Sequence, residues 1–299
     1  MFSQMLIPLD GSTVSEQVLP YARSLARKLH LPVELLAVLD VVGLAASIPA
    51  EDKRDAESLI AHTWRSSAAF LEKTSRTFPG VLVTCTVEKG RPSEVVLDKA
   101  ATDTGTLIGM ATHGRSGIDR WLLGSVAEKV LRGTKNPLLL VRAVKGGESD
   151  GEAILKRVIV PLDGSPLAEK ALPHAMVLAK TMDAEALLVR AYTLTQIIST
   201  YDDYIPDWNK LDAMSKGETI RYLDQKVREL KQNGPTHISP LALEGEAAEQ
   251  IIDLAKGTAN SLVVMCSHGR SGVGRWVLGS VAERVARHSV GPILIIRAV

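Results

Sequence analysis

The chain has 299 residues, of which 45% are hydrophobic and 23% are charged, so it is long enough for two ordinary domains and is neither disordered nor fibrous. The formal net charge of +1 provides no broad basic surface, so we expect no nucleic-acid partner and expect any anion site to be local.

Cysteine usage and the start of the chain bear on location. Cys85 and Cys266 are far apart and lack CxxC spacing, which argues against a disulfide framework or a zinc site. Residues 1–10 reach Pro8 and Asp10 too early for a signal peptide, and no run of about 18 apolar residues occurs. We therefore expect a cytoplasmic protein with no membrane partner.

The first half of the chain alternates short apolar runs with helical patterns. Apolar runs predict strands at 5–9, 33–39, 81–87, 106–111 and 137–141. Helical periodicity and start signals predict helices at 14–29, 52–77, 92–101 and 125–132. Because the order is βαβαβαβαβ and the strands are apolar on both faces, we expect a parallel sheet with helices on both faces.

The second half repeats the first. Residues 7–12, Ile-Pro-Leu-Asp-Gly-Ser, recur as Val-Pro-Leu-Asp-Gly-Ser at 160–165, an offset of 153 residues. Residues 113–130 recur at 268–285 with 14 of 18 positions identical. A repeat of this length predicts two copies of one structural unit.

The second copy has the same predicted elements, with strands near 157–162, 185–191, 236–243, 261–265 and 292–296. The break falls in a polar, glycine-rich stretch at 145–152, which has the composition of a linker. The predicted organisation is a first domain at 1–144, a linker at 145–156 and a second domain at 157–299.

The loop after the fourth strand is suited to a phosphate chain. It runs from His113 to Ser125 and leads into a predicted helix, whose first N–H groups are unpaired and carry partial positive charge. Arg115 and Arg120 add full positive charges. In a parallel sheet of this class the ligand lies beyond the carboxyl ends of the strands, so this loop should meet the turn at 10–12.

At these residues the sequence resembles the universal stress protein family, whose ATP-binding members carry G-x2-G-x9-G-[S/T]. Gly114 and Gly124-Ser125 fit the spacing in the first copy, and Gly269 and Gly279-Ser280 fit it in the second. The resemblance covers both copies and implies two tandem Rossmann-like α/β domains of the adenine nucleotide alpha hydrolase-like type, each with five parallel strands in the order 3-2-1-4-5. It further implies ATP as the ligand, bound with or without Mg²⁺.

The resemblance also implies roles for individual residues. The aspartates after the first strand of each copy would bind ribose or reach the phosphates through Mg²⁺, and the ends of the second strands would meet the adenine through the backbone. In the first domain the implied nucleotide-binding residues are Pro8, Leu9, Asp10, Val38, Ala111, His113, Gly114, Arg115, Gly124, Ser125 and Val126. In the second they are Pro161, Leu162, Asp163, Ala191, Cys266, His268, Gly269, Arg270, Gly279, Ser280 and Val281.

One position departs from the family motif. Its first glycine is replaced by Ala111 in the first copy and by Cys266 in the second. If that position needs a positive φ or a close contact with ribose, a side chain there is unfavourable, and a thiol more so than a methyl group. We therefore expect tighter ATP binding in the first domain.

Several of these residues have simpler interpretations that stay open at this point. Ser125 and Ser280 each begin an S-x-x-E capping box, which alone could explain both serines. Asp10 could merely close a turn. His113 and His268 have no carboxylate at readable spacing, so neither is predicted to be catalytic.

The fifth strands, 138–141 and 293–296, are more apolar than an exposed sheet edge should be. In the resembling family this strand pairs across a dimer axis. We therefore expect an intramolecular pseudo-dimer of the two domains and allow for a further homodimer.

The favoured function is a stress-response or regulatory protein that senses adenine nucleotide. A slow ATPase or nucleotidyl-transfer enzyme of the same fold is one alternative, and a scaffold that binds no nucleotide is the other. The HIGH and SGGxDS signatures of related adenylate-transferring folds are missing and no nucleophile–base pair is legible, so we predict no catalytic residue and at most weak ATPase activity. We name no residue as a metal site of the protein itself.

Overall fold

The computed structural model describes residues 1–41, 43, 56–112, 123–193, 208–232, 235, 237–269 and 278–297. The chain divides between Ala153 and Ile154 into two compact units. Within the described ranges, no helix has both the length and the apolar character needed to cross a membrane.

The described residues of the first unit form five parallel strands. They are β1 Gln4–Pro8, β2 Val33–Leu39, β3 Val83–Lys89, β4 Thr106–Ala111 and β5 Leu138–Val141. Its helices are α1 Leu19–Leu29, α2 Ala56–Ser75, α3 Pro92–Ala101 and α4 Ser125–Gly133, and a 3₁₀ turn at Ser15–Val18 precedes α1. The strand order β3-β2-β1-β4-β5 confirms the predicted 3-2-1-4-5 arrangement.

The second unit repeats this topology. Its strands are β6 Arg157–Pro161, β7 Glu185–Tyr192, β8 Ile238–Glu244, β9 Ser261–Cys266 and β10 Ile293–Ile296. Its helices are α5 Pro166–Glu169, α6 Leu172–Met182, α7 Trp208–Lys231, α8 Ala247–Gly257 and α9 Ser280–His288. The order β8-β7-β6-β9-β10, again all parallel, confirms the α/β fold class for both copies.

The central strands form these sheets because they are apolar on both faces. All six residues of β4 and all six of β9 are buried, as expected for strands that are covered by helices on both sides. Helix α1 follows the 3.6-residue period and buries Leu19, Ala22 and Leu25. The core of each unit therefore lies between its sheet and the two helix layers.

The topology leaves an opening at the carboxyl edge of each sheet. In the first unit the chain moves from β1 to β2 and β3 on one side, and continues through β4 and β5 on the other. Although β1 and β4 are paired, the connections that follow them lie on opposite faces of the sheet. This divergence creates the crevice in which ligands of such folds bind.

Candidate functional site

The first unit has a cavity of about 520 Å³ where β1, β2 and β4 end and α4 begins. Eight of the residues implied by the resemblance line it, namely Pro8, Leu9, Asp10, Val38, Ala111, Gly124, Ser125 and Val126. They come from four separate segments of the chain, and the fold brings them together at one edge of the sheet.

The second unit has a smaller cavity of about 270 Å³ at the equivalent place. Ten of the implied residues line it, namely Pro161, Leu162, Asp163, Ala191, Cys266, His268, Gly269, Gly279, Ser280 and Val281. The remaining four, His113, Gly114, Arg115 and Arg270, lie outside the described residues.

The turn after β1 is held by the carboxylate of Asp10. Its Oδ1 accepts hydrogen bonds from the backbone N–H of Ser12 at 3.0 Å and from the Ser12 hydroxyl at 2.6 Å. Gly11 has a φ of +76°, a conformation that glycine adopts without strain. Asp10 therefore closes this turn and also lines the cavity, so the two interpretations left open by the sequence are compatible.

The second unit repeats this turn. Oδ1 of Asp163 accepts a hydrogen bond from the backbone N–H of Ser165 at 2.8 Å. Ser165 in turn caps the short helix α5, since its hydroxyl accepts from the N–H of Ala168 at 3.2 Å. A Cβ at Gly269 would collide with the Asp163 carboxylate, so the loop approaches the aspartate closely only because glycine stands there.

Helices α4 and α9 begin with a glycine as N-cap rather than a serine. Gly124 and Gly279 have the extended ψ values of 146° and 145° and are the N-caps, while Ser125 and Ser280 are the first helical residues. The capping-box interpretation of both serines is therefore wrong. Both serines are exposed, which leaves their hydroxyls accessible at helix N-termini.

The glutamates of the proposed capping boxes pair within their own helices instead. Glu128 accepts a hydrogen bond from Arg132 at 3.4 Å, and Glu283 accepts one from Arg287 at 3.2 Å. Each glutamate faces an arginine one turn later. The arginine partly neutralises the carboxylate, which therefore reduces the positive potential at the helix N-terminus less than an unpaired carboxylate would.

Ala111 and Cys266 end strands β4 and β9 and have ordinary strand conformations. Among the described non-glycine residues, a positive φ occurs at His30, Asp183 and Asn260. A requirement for positive φ therefore does not explain the motif's first glycine in this chain. The remaining explanation is a close contact between this position and the ribose of a ligand, because both side chains are buried and line the cavities.

Burial determines how reactive the Cys266 thiol is. The thiol is 4% exposed, and desolvation raises its pKa above the usual range. A thiol with a raised pKa is mostly protonated at neutral pH and reacts slowly. Cys266 is therefore a packing residue at the cavity wall.

His268 contacts the hydroxyl of its sequence neighbour, Ser267. Its Nδ1 lies 2.9 Å from the hydroxyl oxygen of Ser267, which is fully buried. Its Nε2 is also buried, and within the described residues it makes no hydrogen bond. The imidazole thus presents a polar atom next to the second cavity.

Sequence reasoning missed several polar residues of the first cavity. Ser15, Asp40, Thr63, Ser67 and Thr112 also line it. Thr63 and Ser67 are four residues apart on α2 and so share one face of that helix, which is a signal in the sequence. Which face meets the sheet was not apparent from that spacing.

A comparison with protein families places both halves of the chain in one family. The model of the universal stress protein family matches residues 1–142 and again residues 155–297. The two matched segments correspond to the two copies found by internal repetition.

Individual relatives agree with this match. Universal stress protein MJ0531 of Methanocaldococcus jannaschii is 30% identical over 148 residues, which are 50% of this chain and 85% of that protein. A universal stress protein of Mycolicibacterium smegmatis is 23% identical over 308 residues, covering 98% of this chain and 96% of its own. Among solved structures, a universal stress protein from Archaeoglobus fulgidus has a TM-score of 0.67 at 19% identity, covering 99% of this chain and 98% of that one, which supports the fold.

Proposed function

This chain belongs to the universal stress protein family, and on that premise we propose that it is a regulatory protein whose two units each bind ATP at the carboxyl edge of the sheet. The main support is the convergence of four chain segments on one cavity in each unit. The segments are those that the nucleotide-binding resemblance singles out.

The wall chemistry suits the parts of a nucleotide. In the first unit the ends of β1, β2 and β4 supply an apolar slot of the kind that binds a purine, with Val38 near the end of β2. In the second unit β6, β7 and β9 do the same, with Ala191 near the end of β7. Asp10 and Asp163 would accept hydrogen bonds from ribose hydroxyls, for which a carboxylate is a strong acceptor.

The phosphates would lie at the beginnings of α4 and α9. The backbone N–H groups there and the accessible hydroxyls of Ser125 and Ser280 are donors for phosphate oxygens. Within the described residues, no three His, Cys, Asp or Glu side chains are grouped to hold a metal ion. Mg²⁺ would therefore reach the site on the phosphates of the nucleotide.

The two sites differ in size. The first cavity lies within the range of about 300–1,000 Å³ that is usual for small-molecule sites, and the second lies slightly below it. Cys266 also places a larger group than Ala111 at the same position of the wall. Both observations favour tighter binding by the first unit.

Binding without rapid turnover distinguishes a sensor from the enzyme alternative. Mg·ATP titration by calorimetry, together with steady phosphate release, should give heat of binding and no sustained release from the wild-type chain. Phosphate release that is abolished by Asp10→Asn and Asp163→Asn would favour the slow ATPase. No heat at millimolar ATP would favour the scaffold.

The asparagine substitutions are chosen because they separate charge from turn structure. Asn keeps an amide oxygen as acceptor for the N–H of Ser12 or Ser165, whereas Ala would also open the turn. Lys73→Ala, an exposed change on α2, serves as the surface control and should leave binding unchanged.

Three predictions from the sequence accompany this proposal. They are the pseudo-dimer of the two units through strands β5 and β10, a further homodimer, and a cytoplasmic location. Light scattering on the purified chain tests the homodimer, because a mass of 32.2 kDa corresponds to one chain.

A further inference from the structure

The segment that leads from the first unit towards the second is fastened to the first unit along its length. We call residues 143–153 the connecting segment. At its start the N–H of Ala143 donates to the hydroxyl oxygen of Thr112 at 3.4 Å, and at its end the N–H of Ala153 donates to the carbonyl of Pro20 at 2.9 Å. Its composition indicates a flexible linker, whereas its contacts hold it in place.

Gln17 holds the first part of the connecting segment at two points. Its Oε1 accepts from the N–H of Val144 at 2.9 Å, and its Nε2 donates to the carbonyl of Val144 at 2.8 Å. The glutamine is buried, and a Cβ at Gly147 would collide with its side chain. The segment therefore follows the glutamine closely.

Arg23 holds the second part. Its Nε donates to the carbonyl of Gly151 at 2.7 Å, its Nη2 donates to the carbonyl of Ser149, and its Nη1 donates to the hydroxyl of Thr77 at 2.9 Å. Arg23 is only 5% exposed, so these bonds are largely shielded from water. The exposed Arg27 adds an ion pair with Glu152.

The first fastening points belong to the wall of the first cavity. Thr112, which holds Ala143, lines the cavity. Gln17 lies in the 3₁₀ turn that begins with Ser15, another lining residue. The Ser15 hydroxyl donates to the carbonyl of Ser12 at 2.9 Å, and the N–H of Ser15 donates to the Ser12 hydroxyl at 3.1 Å.

These contacts connect Asp10 to the connecting segment through a short series of direct contacts. Asp10 holds Ser12, Ser12 holds Ser15, and Ser15 begins the turn that carries Gln17. The second unit lacks this arrangement, because the offset of 153 residues places Ala168 and Lys170 where the first unit has Ser15 and Gln17. The series is thus a property of the first unit.

We propose that ATP occupancy of the first cavity is coupled to the packing of the connecting segment, so that the ligand tightens the part of the chain leading into the second unit at Ile154. The coupling rests on the proposed ATP site. A ligand that fixes the turn at Asp10 lowers the freedom of Gln17 and hence of Val144. Because coupling is reciprocal, loosening the segment weakens ATP binding by the same factor.

Hydrogen exchange of the full chain, measured by mass spectrometry with and without saturating Mg·ATP, tests the proposal. The amides of Val144, Gly147 and Ala153 should exchange at least about fivefold more slowly with ATP, a factor at the low end of measured couplings. Gln17→Ala should weaken the first-site affinity for ATP by a similar factor. Gln17→Glu keeps an acceptor for the Val144 N–H but places a buried carboxylate oxygen against the Val144 carbonyl, so it should weaken ATP binding at least as much as Gln17→Ala.

Two further variants keep the outcomes distinct. Arg27→Ala releases only an exposed ion pair, which contributes little to holding the segment, so ATP affinity should stay unchanged. Ser15→Ala, measured without ATP, should by itself speed exchange at Val144 because the turn loses two hydrogen bonds of that hydroxyl.

If ATP binds and the three amides are unaffected, the coupling is refuted while the proposed function stands. If no ATP binds, the proposed function fails together with the nucleotide coupling. Unchanged exchange in Ser15→Ala would then also refute the mechanical link between the turn and the segment.

Discussion

Replacing Cys266, at the end of β9, by the alanine that ends β4 should lower folding stability and raise ligand affinity. Cys266→Ala removes a thiol that is 4% exposed, and the loss of its packing should destabilise the second unit by about 1 kcal/mol. The same change enlarges a cavity of about 270 Å³ at its wall. If the thiol intrudes on the ligand, ATP should bind the second site about tenfold more tightly, since one extra group in a pocket is worth about 1–3 kcal/mol.

The reverse substitution, Ala111→Cys, should weaken ATP binding at the first site by about tenfold for the same reason. Urea unfolding measures the stability change, and calorimetry measures the affinity of each site. Cys85→Ala is the matched control, because Cys85 is exposed on β3 and lines neither cavity. Affinities that stay within twofold in both cavity variants would show that this position does not limit binding.

Two further expectations concern stability and strand pairing. Hydrogen bonds from the Ser239 hydroxyl and Arg157 lower the pKa of Glu185. The ionised carboxylate therefore stabilises the fold at pH values above the ordinary glutamate pKa of about 4, and this contribution disappears as the pH falls through the lowered pKa. Glu185→Gln should therefore lower the free energy of unfolding in urea by about 1 kcal/mol at pH 7, a modest value because the carboxylate is partly exposed. If the same difference persisted at pH 3, the ionised carboxylate would not be its origin. If the strand at Leu138–Val141 is covered as its composition predicts, all its amides should exchange slowly in the full chain, whereas rapid exchange of alternate amides would indicate an unpaired edge.

The strands were the most predictable part of the fold. The sequence predicts strand β4 at 106–111, and the structure has it there, because a largely apolar run between polar turns is best buried on both faces of a sheet. The family resemblance implied the strand order, and the internal repeat extended it to both copies. The carboxyl-edge site then followed from the strand order.

The starts of α4 and α9 were less predictable because glycine and serine both suit an N-cap. A long-range contact decides between them. The N–H of Gly124 donates to the carbonyl of Thr112 at 2.5 Å, and the N–H of Gly279 donates to the carbonyl of Ser267 at 2.9 Å, and these bonds tie each glycine to the preceding strand end. Each helix therefore begins one residue earlier than the capping box implies, at the serine itself.

The connecting segment shows a second limit of sequence reasoning. Its composition is that of a flexible linker, yet Gln17 and Arg23, which lie more than 120 residues earlier, hold it on α1 and the turn before it. Amino-acid composition indicates how flexible a segment is when it makes no tertiary contacts. It does not report a partner that is distant in the sequence.

The central claim, that each unit binds ATP at the carboxyl edge of its sheet, is tested most directly by the stoichiometry of Mg·ATP binding to the full chain. Calorimetry should give two sites, of which Gly124→Val removes the tighter and Gly279→Val the weaker, because each valine narrows the approach to one helix N-terminus. The same two sites persisting in the double variant, or no binding by the wild-type chain at millimolar ATP, would contradict the account.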